Sequence, residues 1–330
     1  MKAVVARAFG EPDVLDVIEL PDPIPGPGEV SIDVTHAAVG LVDVYLRRGQ
    51  FEDNDALPHP PYTPGLEVAG TVRAVGAGVT SLRVGEPVVT LSGAGPNTGS
   101  GGYASIAIAD ALLTASLDGS GVDPALAVSA VPNAATAYLA LTRIAHLEKG
   151  ESVLVHGALG GLASAFPGMA RELGAGRIVG TVRAHGMEAA LASELPYDRV
   201  VAAEDFPGVI GDERFDVVID PVGGALRTAT LDVMAPQGRI LLVGNASNDW
   251  ANTVDTNALW GRNIAMLGFS IGFYLPTHRD LGRPAAEAAI AAIEHGLINL
   301  SIDELPLEQA AEAHRRLETQ PVTGRIVLRP

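Results

Sequence analysis

The sequence predicts an α/β protein of two domains, one a doubly wound parallel sheet and the other a small, mostly antiparallel β unit. Three observations carry this. The 330 residues exceed what one hydrophobic core organises, and at roughly 100 to 200 residues per domain they suggest two. The second half holds near-continuous β-branched runs, "SVLVHGA", "RIVGTV", "RVVAA", "FDVVID" and "RILLVGN", separated by helix-like segments, as expected of parallel strands buried on both faces. The first 120 residues instead alternate short strand-like runs with turn clusters.

In chain order, "KAVVARAF", "VLDVIEL", the rigid "PDPIPGPG" and "EVSIDV" open the β unit, with Val30, Ile32 and Val34 on one face. From Pro124 a long apolar segment, "PALAVSAVPNAATAYLALTRIAHL", reads as a helix ending near Lys149-Gly150. The domain boundary is expected near Pro124, where the texture changes. Near the end, "AAEAAIAAIEHGLI" and "LPLEQAAEAHRRLET" give two amphipathic helices packing on the β unit, and "GRIVLRP" a closing strand.

Composition narrows the function classes. Hydrophobic residues are 47%, with 38 glycines and 23 prolines, as in a tightly turned globular protein. A formal charge of −17 argues against nucleic acid and anionic membrane partners, which need a basic face. With no cysteine there are no disulfides, thiolate nucleophiles, thiolate zinc ligands or iron-sulfur clusters, so redox chemistry needs a borrowed cofactor. The eight histidines show no metal spacing; His146, near a helix C-terminus, suits the helix dipole. Ser100 and Ser105 lack nucleophile-elbow context. "MKAVVARAFGEPDVL" has no apolar signal core, and no uninterrupted apolar run of about 18 residues occurs, so the cytoplasm is the expected location.

The chemistry centres on "VLVHGALGGLASAFPGMA", a strand running into a glycine-rich turn. Gly157, Gly160 and Gly161, with the intervening Ala158 and the following Leu162, form a seat for a dinucleotide pyrophosphate; Ala163 replaces the usual third glycine. Pro167 predicts a kinked or late-starting helix. The next strand ends at Arg183, twenty residues after Ala163, where an acid would bind the ribose hydroxyls of NAD. A basic residue there favours a 2′-phosphate, hence NADPH; the alternative for Arg183 is a solvated surface residue.

From "MKAVVARAFGEPDVL" through "PGLEVAGTVRAVGAGVTSLRVGEPVV", "GGYASIAIA", "TAYLAL", "GESVLVHGALGGLA", "FDVVIDPVGG" and "GRILLVGNAS" to "TGRIVLRP", the whole chain resembles the zinc-independent, quinone oxidoreductase-like branch of the medium-chain dehydrogenase/reductase superfamily. The resemblance implies a GroES-like barrel formed by the two chain ends, 1–122 with 268–330, an inserted Rossmann domain over 123–267, NADPH as cofactor and a homodimer. Zinc-dependent members carry Gly-His-Glu where this chain reads Gly65-Leu66-Glu67, and leucine cannot bind zinc. Without that Lewis acid, simple alcohol dehydrogenation is disfavoured. In "VGLVDVYLRRGQF", Gly40 stands at the family's asparagine position, Tyr45 matches its tyrosine and Phe51 a further aromatic. Thr136 matches a position near the nicotinamide, as do Val243, Gly244 and Asn245, and Phe269, Ser270 and Phe273 of "LGFSIGFYLP". The family's NADP-binding lysine and tyrosine appear as Met187 and Ala203, which leaves phosphate recognition to Arg183.

The expected activity is NADPH-dependent transfer of hydride to an α,β-unsaturated carbonyl (enone or enoyl) or a quinone. Tyr45 is the candidate proton donor or oxyanion partner. Gly40, Phe51, Phe269 and Phe273 line the substrate pocket, whose aromatic walls orient a flat conjugated acceptor. For Tyr45 the alternative is a core tyrosine with a satisfied hydroxyl, for the 269–273 segment a subunit interface, and for Asp43 a helix cap. Two further readings stand beside this one: an NADPH-binding protein with little turnover, and a ketone reductase using Tyr45 as acid.

Overall fold

A computed structural model describes residues 1–91, 101–320 and 322–330; Ser100 lies outside them. The chain divides into two units, Met1–Pro132 with His278–Ile290 and Leu300–Pro330, and Asn133–Thr277 with Ala291–Asn299.

In the first unit, β1 (Lys2–Ala6) and β2 (Leu15–Glu19) pair antiparallel. β3 (Glu29–Val39) is the organiser. Bulged twice, it pairs antiparallel with β4 (Val68–Val75), with β6 (Ile106–Asp110) at its start, and with the closing strand at its end. The bulges bend one long strand enough to serve three partners. β5 (Pro87–Thr90) and β7 (Thr114–Ser116) extend the sheet beyond β4. The predicted face of Val30, Ile32 and Val34 is buried, packed with Val68, Val72, Tyr103, Ile326 and Leu328. A short helix, α1 (Leu41–Arg47), follows β3 directly.

Helix α2 (Pro124–Leu139) continues as a π-turn over Ala140–Ile144. It ends there, not near Lys149-Gly150 as the pattern suggested. His146 is left-handed at φ 49°, and the Thr142 hydroxyl bonds back to the Tyr138 carbonyl at 2.6 Å. The Arg239 side chain takes the freed carbonyls of Ala145 and His146 at 2.9 and 3.2 Å. By length and composition Pro124–Ile144 would cross a membrane, but 83% of its apolar window is buried within the molecule.

The second unit carries β8 (Ser152–His156), α3 (Ala165–Glu172), β9 (Arg177–Val182), α4 (Met187–Ala192), β10 (Arg199–Ala202), β11 (Phe215–Asp220), α5 (Gly224–Thr230), β12 (Met234–Leu242), α6 (Thr256–Arg262), β13 (Ala265–Gly268) and α7 (Ile271–Tyr274). All six strands are parallel, in the order β10-β9-β8-β11-β12-β13. The chain thus starts in the middle of the sheet, moves outward one way, then returns to fill the other side. That reversal is where doubly wound folds bind ligands, outside the carboxyl ends of the strands. The predicted β-branched runs are these strands; Val153, Leu154, Val155, Val217, Val218 and Ile219 are fully buried.

The chain closes with α8 (Gly282–Glu294), β14 (Ile302–Pro306), α9 (Ala310–Thr319) and β15 (Arg325–Arg329), the predicted two helices and final strand. β15 lies between β14, parallel, and β3, antiparallel. Ala310 and Ala313 of α9 pack into the first unit's core.

Candidate active site

The glycine turn takes its shape from three constraints. Gly157 leaves β8 at φ 65°, and a β-carbon there would lie 3.1 Å from Val222, in the turn after β11. The Gly160 amide donates to the Gly157 carbonyl at 2.7 Å and that of Ser164 to the Gly160 carbonyl at 2.9 Å, which closes the loop on itself. Side chains pin it from outside: Asn133 donates to the Gly161 carbonyl at 2.9 Å and Tyr197 to the Ala158 carbonyl at 3.1 Å. Among the described residues nothing claims the amides of Gly161, Leu162 and Ala163. They are donors left over for an anion.

Of the two outcomes Pro167 allowed, the helix starts late. α3 begins at Ala165, so Pro167 is third in its first turn, where its missing N–H has no intrahelical partner to lose. Gly168 has a separate reason. A β-carbon there would fall 2.2 Å from the Leu297 carbonyl oxygen, so the helix must present bare backbone to that segment. Ala163 is buried, so the methyl that replaces the third glycine is absorbed by the packing.

Behind the turn, the imidazole of His156, fully buried, joins the Thr181 hydroxyl at 3.1 Å and the Thr230 hydroxyl at 2.7 Å, and burial lowers its pKa to about 4. It is a neutral tie from β8 to β9 and α5. Asp220, equally buried at the end of β11, accepts from the Val222 and Gly223 amides at 2.9 and 2.7 Å and pairs with Arg227 at 2.5 Å. The other arm of Arg227 donates to the Gly244 carbonyl at 2.9 Å. Together with Val243 N–H to the Asp220 carbonyl at 3.0 Å, this laces Val243, Gly244 and Asn245 to the turn after β11. Sequence reasoning missed Asp220 and Arg227, although an aspartate ending an apolar strand seven residues before an arginine was a readable signal.

Arg183 emerges at the tip of β9, exposed, and forms no salt bridge or hydrogen bond through its guanidinium among the described residues. A pocket of about 310 Å³ nearby was also missed; Ala203, Glu204 and Phe206 after β10 and Ala225, Leu226 and Ala229 of α5 line it. The small residues at 225 and 229, one helical turn apart, make that hollow. Thr136 is buried in α2. Phe269 is buried and stacks on Tyr274 at 5.4 Å, whereas Ser270 is exposed and Phe273 is 68% exposed. The second unit thus brings the glycine turn, Arg183 and the 243–245 strand end to the carboxyl side of one sheet.

The first unit holds the remaining candidates. Gly40 caps α1 with extended backbone, and a β-carbon there would meet only ordinary contacts, the nearest Asp43 at 3.4 Å. Packing does not require the glycine. Asp43 is the helix cap: its carboxylate accepts from the Gly40 amide at 2.8 Å and from the Tyr103 hydroxyl at 3.2 Å. Desolvation raises its pKa to about 7. Tyr45, on the same helix, is half-buried, edge-on to Phe51 at 6.4 Å, and desolvation raises its pKa. Its phenol stays protonated at neutral pH, a donor rather than a phenolate.

The zinc position does not fit a metal. Leu66 has no donor atom, the Glu67 carboxylate is engaged by Arg325, and among the described residues no three His, Asp or Glu side chains cluster. Gly65 is fixed by packing, since at φ 96° a β-carbon would lie 2.4 Å from the Tyr103 ring.

Comparison with known proteins identifies the family. Residues 26–118 match the alcohol dehydrogenase GroES-like domain and residues 195–328 the zinc-binding dehydrogenase family. A quinone oxidoreductase of Sus scrofa is 33% identical, over 99% of this chain and 97% of its own. A mycobacterial protein solved in complex with NADPH superposes with a TM-score of 0.86 at 30% identity over the full length of both chains. The quinone oxidoreductase of Escherichia coli, also complexed with NADPH, gives 0.85 at 25%, again over both full chains. With its GroES-like unit, its doubly wound sheet and its glycine turn, the chain belongs to the quinone oxidoreductase-like branch of the medium-chain dehydrogenase/reductase superfamily.

Proposed function

We propose that this chain, an NADPH-dependent oxidoreductase, reduces the conjugated bond of an enone or enoyl substrate, or a quinone. The observation that carries the proposal is the pairing of unclaimed turn amides at Gly161–Ala163 with an unpaired Arg183 at the carboxyl side of one sheet. Those amides suit a pyrophosphate and the guanidinium a 2′-phosphate, while the pocket between Phe206 and Leu226 suits the adenine. Val243, Gly244 and Asn245, with Thr136 and Ser270, would border the nicotinamide. When bound, NADPH supplies the hydride.

The protein's own part is to receive the charge that appears on the acceptor oxygen. Tyr45 would donate its protonated hydroxyl to that oxygen, stabilising an enolate or hydroquinone anion and then giving up the proton. Phe51 holds the phenol ring edge-on, which limits where the hydroxyl points. Conjugation spreads the developing charge, so such an acceptor needs less help than an isolated ketone and one hydrogen-bond donor can suffice. This favours conjugated acceptors in a protein whose Leu66 and Glu67 leave no metal seat.

The test is anaerobic oxidation of NADPH and NADH against enones, an enoyl thioester, quinones and saturated ketones. Turnover with a conjugated class, slowed about 100-fold or more by Tyr45→Phe with NADPH affinity intact, is expected. Turnover of saturated ketones alone would replace this reading with ketone reduction. Saturable NADPH binding without any turnover would make the chain a cofactor-binding protein.

A further inference from the structure

The acidic residue that NAD-preferring sheets place at the end of the second strand is missing from β9, but the structure returns one from the next strand. Glu204, two residues past β10, folds back so that its carboxylate accepts the amide of Ala184 at 2.9 Å. Ala184 is the immediate neighbour of Arg183. One carboxylate oxygen is thereby anchored to the backbone next to Arg183, while the side chain also lines the pocket after β10. The two side chains form no salt bridge, yet the Arg183 charge acts on Glu204. The Ala184 hydrogen bond is the chief cause that lowers its pKa, so Glu204 is ionised at neutral pH.

We propose that Glu204 is a second determinant of cofactor choice, opposing Arg183: it repels the 2′-phosphate of NADPH and offers its carboxylate to the 2′-hydroxyl of NADH. The chain then carries both recognition elements at one corner, a cation for the phosphate and an anion for the hydroxyl, each from a different strand. Neither neutralises the other by direct pairing. The preference for NADPH is therefore a balance, and NADH is accepted to a measurable extent. The inference rests on Arg183 meeting the 2′-phosphate.

The experiment measures kcat/KM for NADPH and NADH, and both dissociation constants by nicotinamide fluorescence, in the wild type, Glu204→Gln and Arg183→Ala. Glutamine keeps an oxygen for the Ala184 amide and removes only the charge. Glu204→Gln is expected to raise the NADPH/NADH ratio about threefold to fivefold, the size of one exposed charge interaction. The gain should fade at high salt, as screening requires and a purely structural role would not. An unchanged ratio, or equal changes for both cofactors, overturns the proposal while leaving the NADPH reading intact if Arg183→Ala still weakens NADPH selectively. If Arg183→Ala leaves NADPH binding unaltered, the parent reading falls and this inference falls with it.

Discussion

The two units bury polar groups in opposite ways. At the carboxyl ends of the second unit's strands, Asp220 and His156 are fully enclosed and bonded through both oxygens and both ring nitrogens. Beneath α1 in the first unit, the Asp43 Oδ1, the Arg47 Nε and Nη1, the Tyr62 hydroxyl and the His314 Nδ1 have no hydrogen-bond partner among the described residues. Yet Arg47 and His314 are just as inaccessible. A seat for a pyrophosphate has to hold its amides in fixed positions, and a saturated network does that. The cluster under Tyr45 stores its cost as displaced protonation: Asp43 is pushed up to about 7, and His314, desolvated beside Arg47, down to about 3.

The contrast is broken most severely by removing a member of the saturated network. Asp220→Ala strands Arg227 and uncaps two amides in the turn that touches Gly157. Losing one partner of a buried pair costs about 3 to 5 kcal/mol. The urea midpoint should fall accordingly and NADPH binding weaken with it. A loss comparable to a surface substitution would mean that the lacing of β11 to β12 is ornamental.

Next comes the close approach at α3. Gly168→Ala puts a methyl 2.2 Å from the Leu297 oxygen and 2.7 Å from Ile298, so backbone must move, at a cost of about 1 to 3 kcal/mol. Thermal unfolding measures this directly. An unchanged midpoint would show that the segment after α8 shifts freely.

A third prediction sets the two buried histidines against Asp43. Between about pH 4 and 6.5 an unfolded chain protonates His156 and His314, which the folded protein keeps neutral; stability from this source is lost as pH falls. Asp43 acts oppositely, because the folded protein holds a proton there that the unfolded chain releases above 3.8. Two protons against one leave the unfolded chain one proton ahead, so stability rises with pH from these three groups. His314→Gln removes one of the two and should flatten that slope. If the slope is unaltered, His314 is not neutral in the fold.

How much of this was legible varied with range. The parallel strands were readable because burial on both faces selects unbroken β-branched runs. The glycine turn was readable because its first residue, Gly157, leaves the strand at φ 65°, where glycine is favoured. What sequence could not reveal depended on distant partners. The α2 terminus is set by Arg239 reaching back to Ala145, nearly a hundred residues away, and Gly168 answers to Leu297. Glu204 reaches Ala184 only because β10 lies beside β9. Asp43 was readable as a cap, but its partnership with Tyr103, sixty residues on, was not.

The smallest expected effect on stability is the most informative about the first unit. Gly40 stands where the family resemblance implies an asparagine, and its backbone, at φ −112° and ψ 157°, suits any residue. Asparagine favours helix N-caps over glycine by a few tenths of a kcal/mol, so Gly40→Asn should leave the melting midpoint nearly unmoved or slightly higher. Any change in turnover then comes from the amide group itself, not from refolding around it. If Gly40 borders the reacting acceptor beside Tyr45, the added amide should raise kcat/KM for a conjugated acceptor severalfold, with NADPH affinity unchanged. If turnover stays the same while the fold is intact, position 40 lies away from the chemistry.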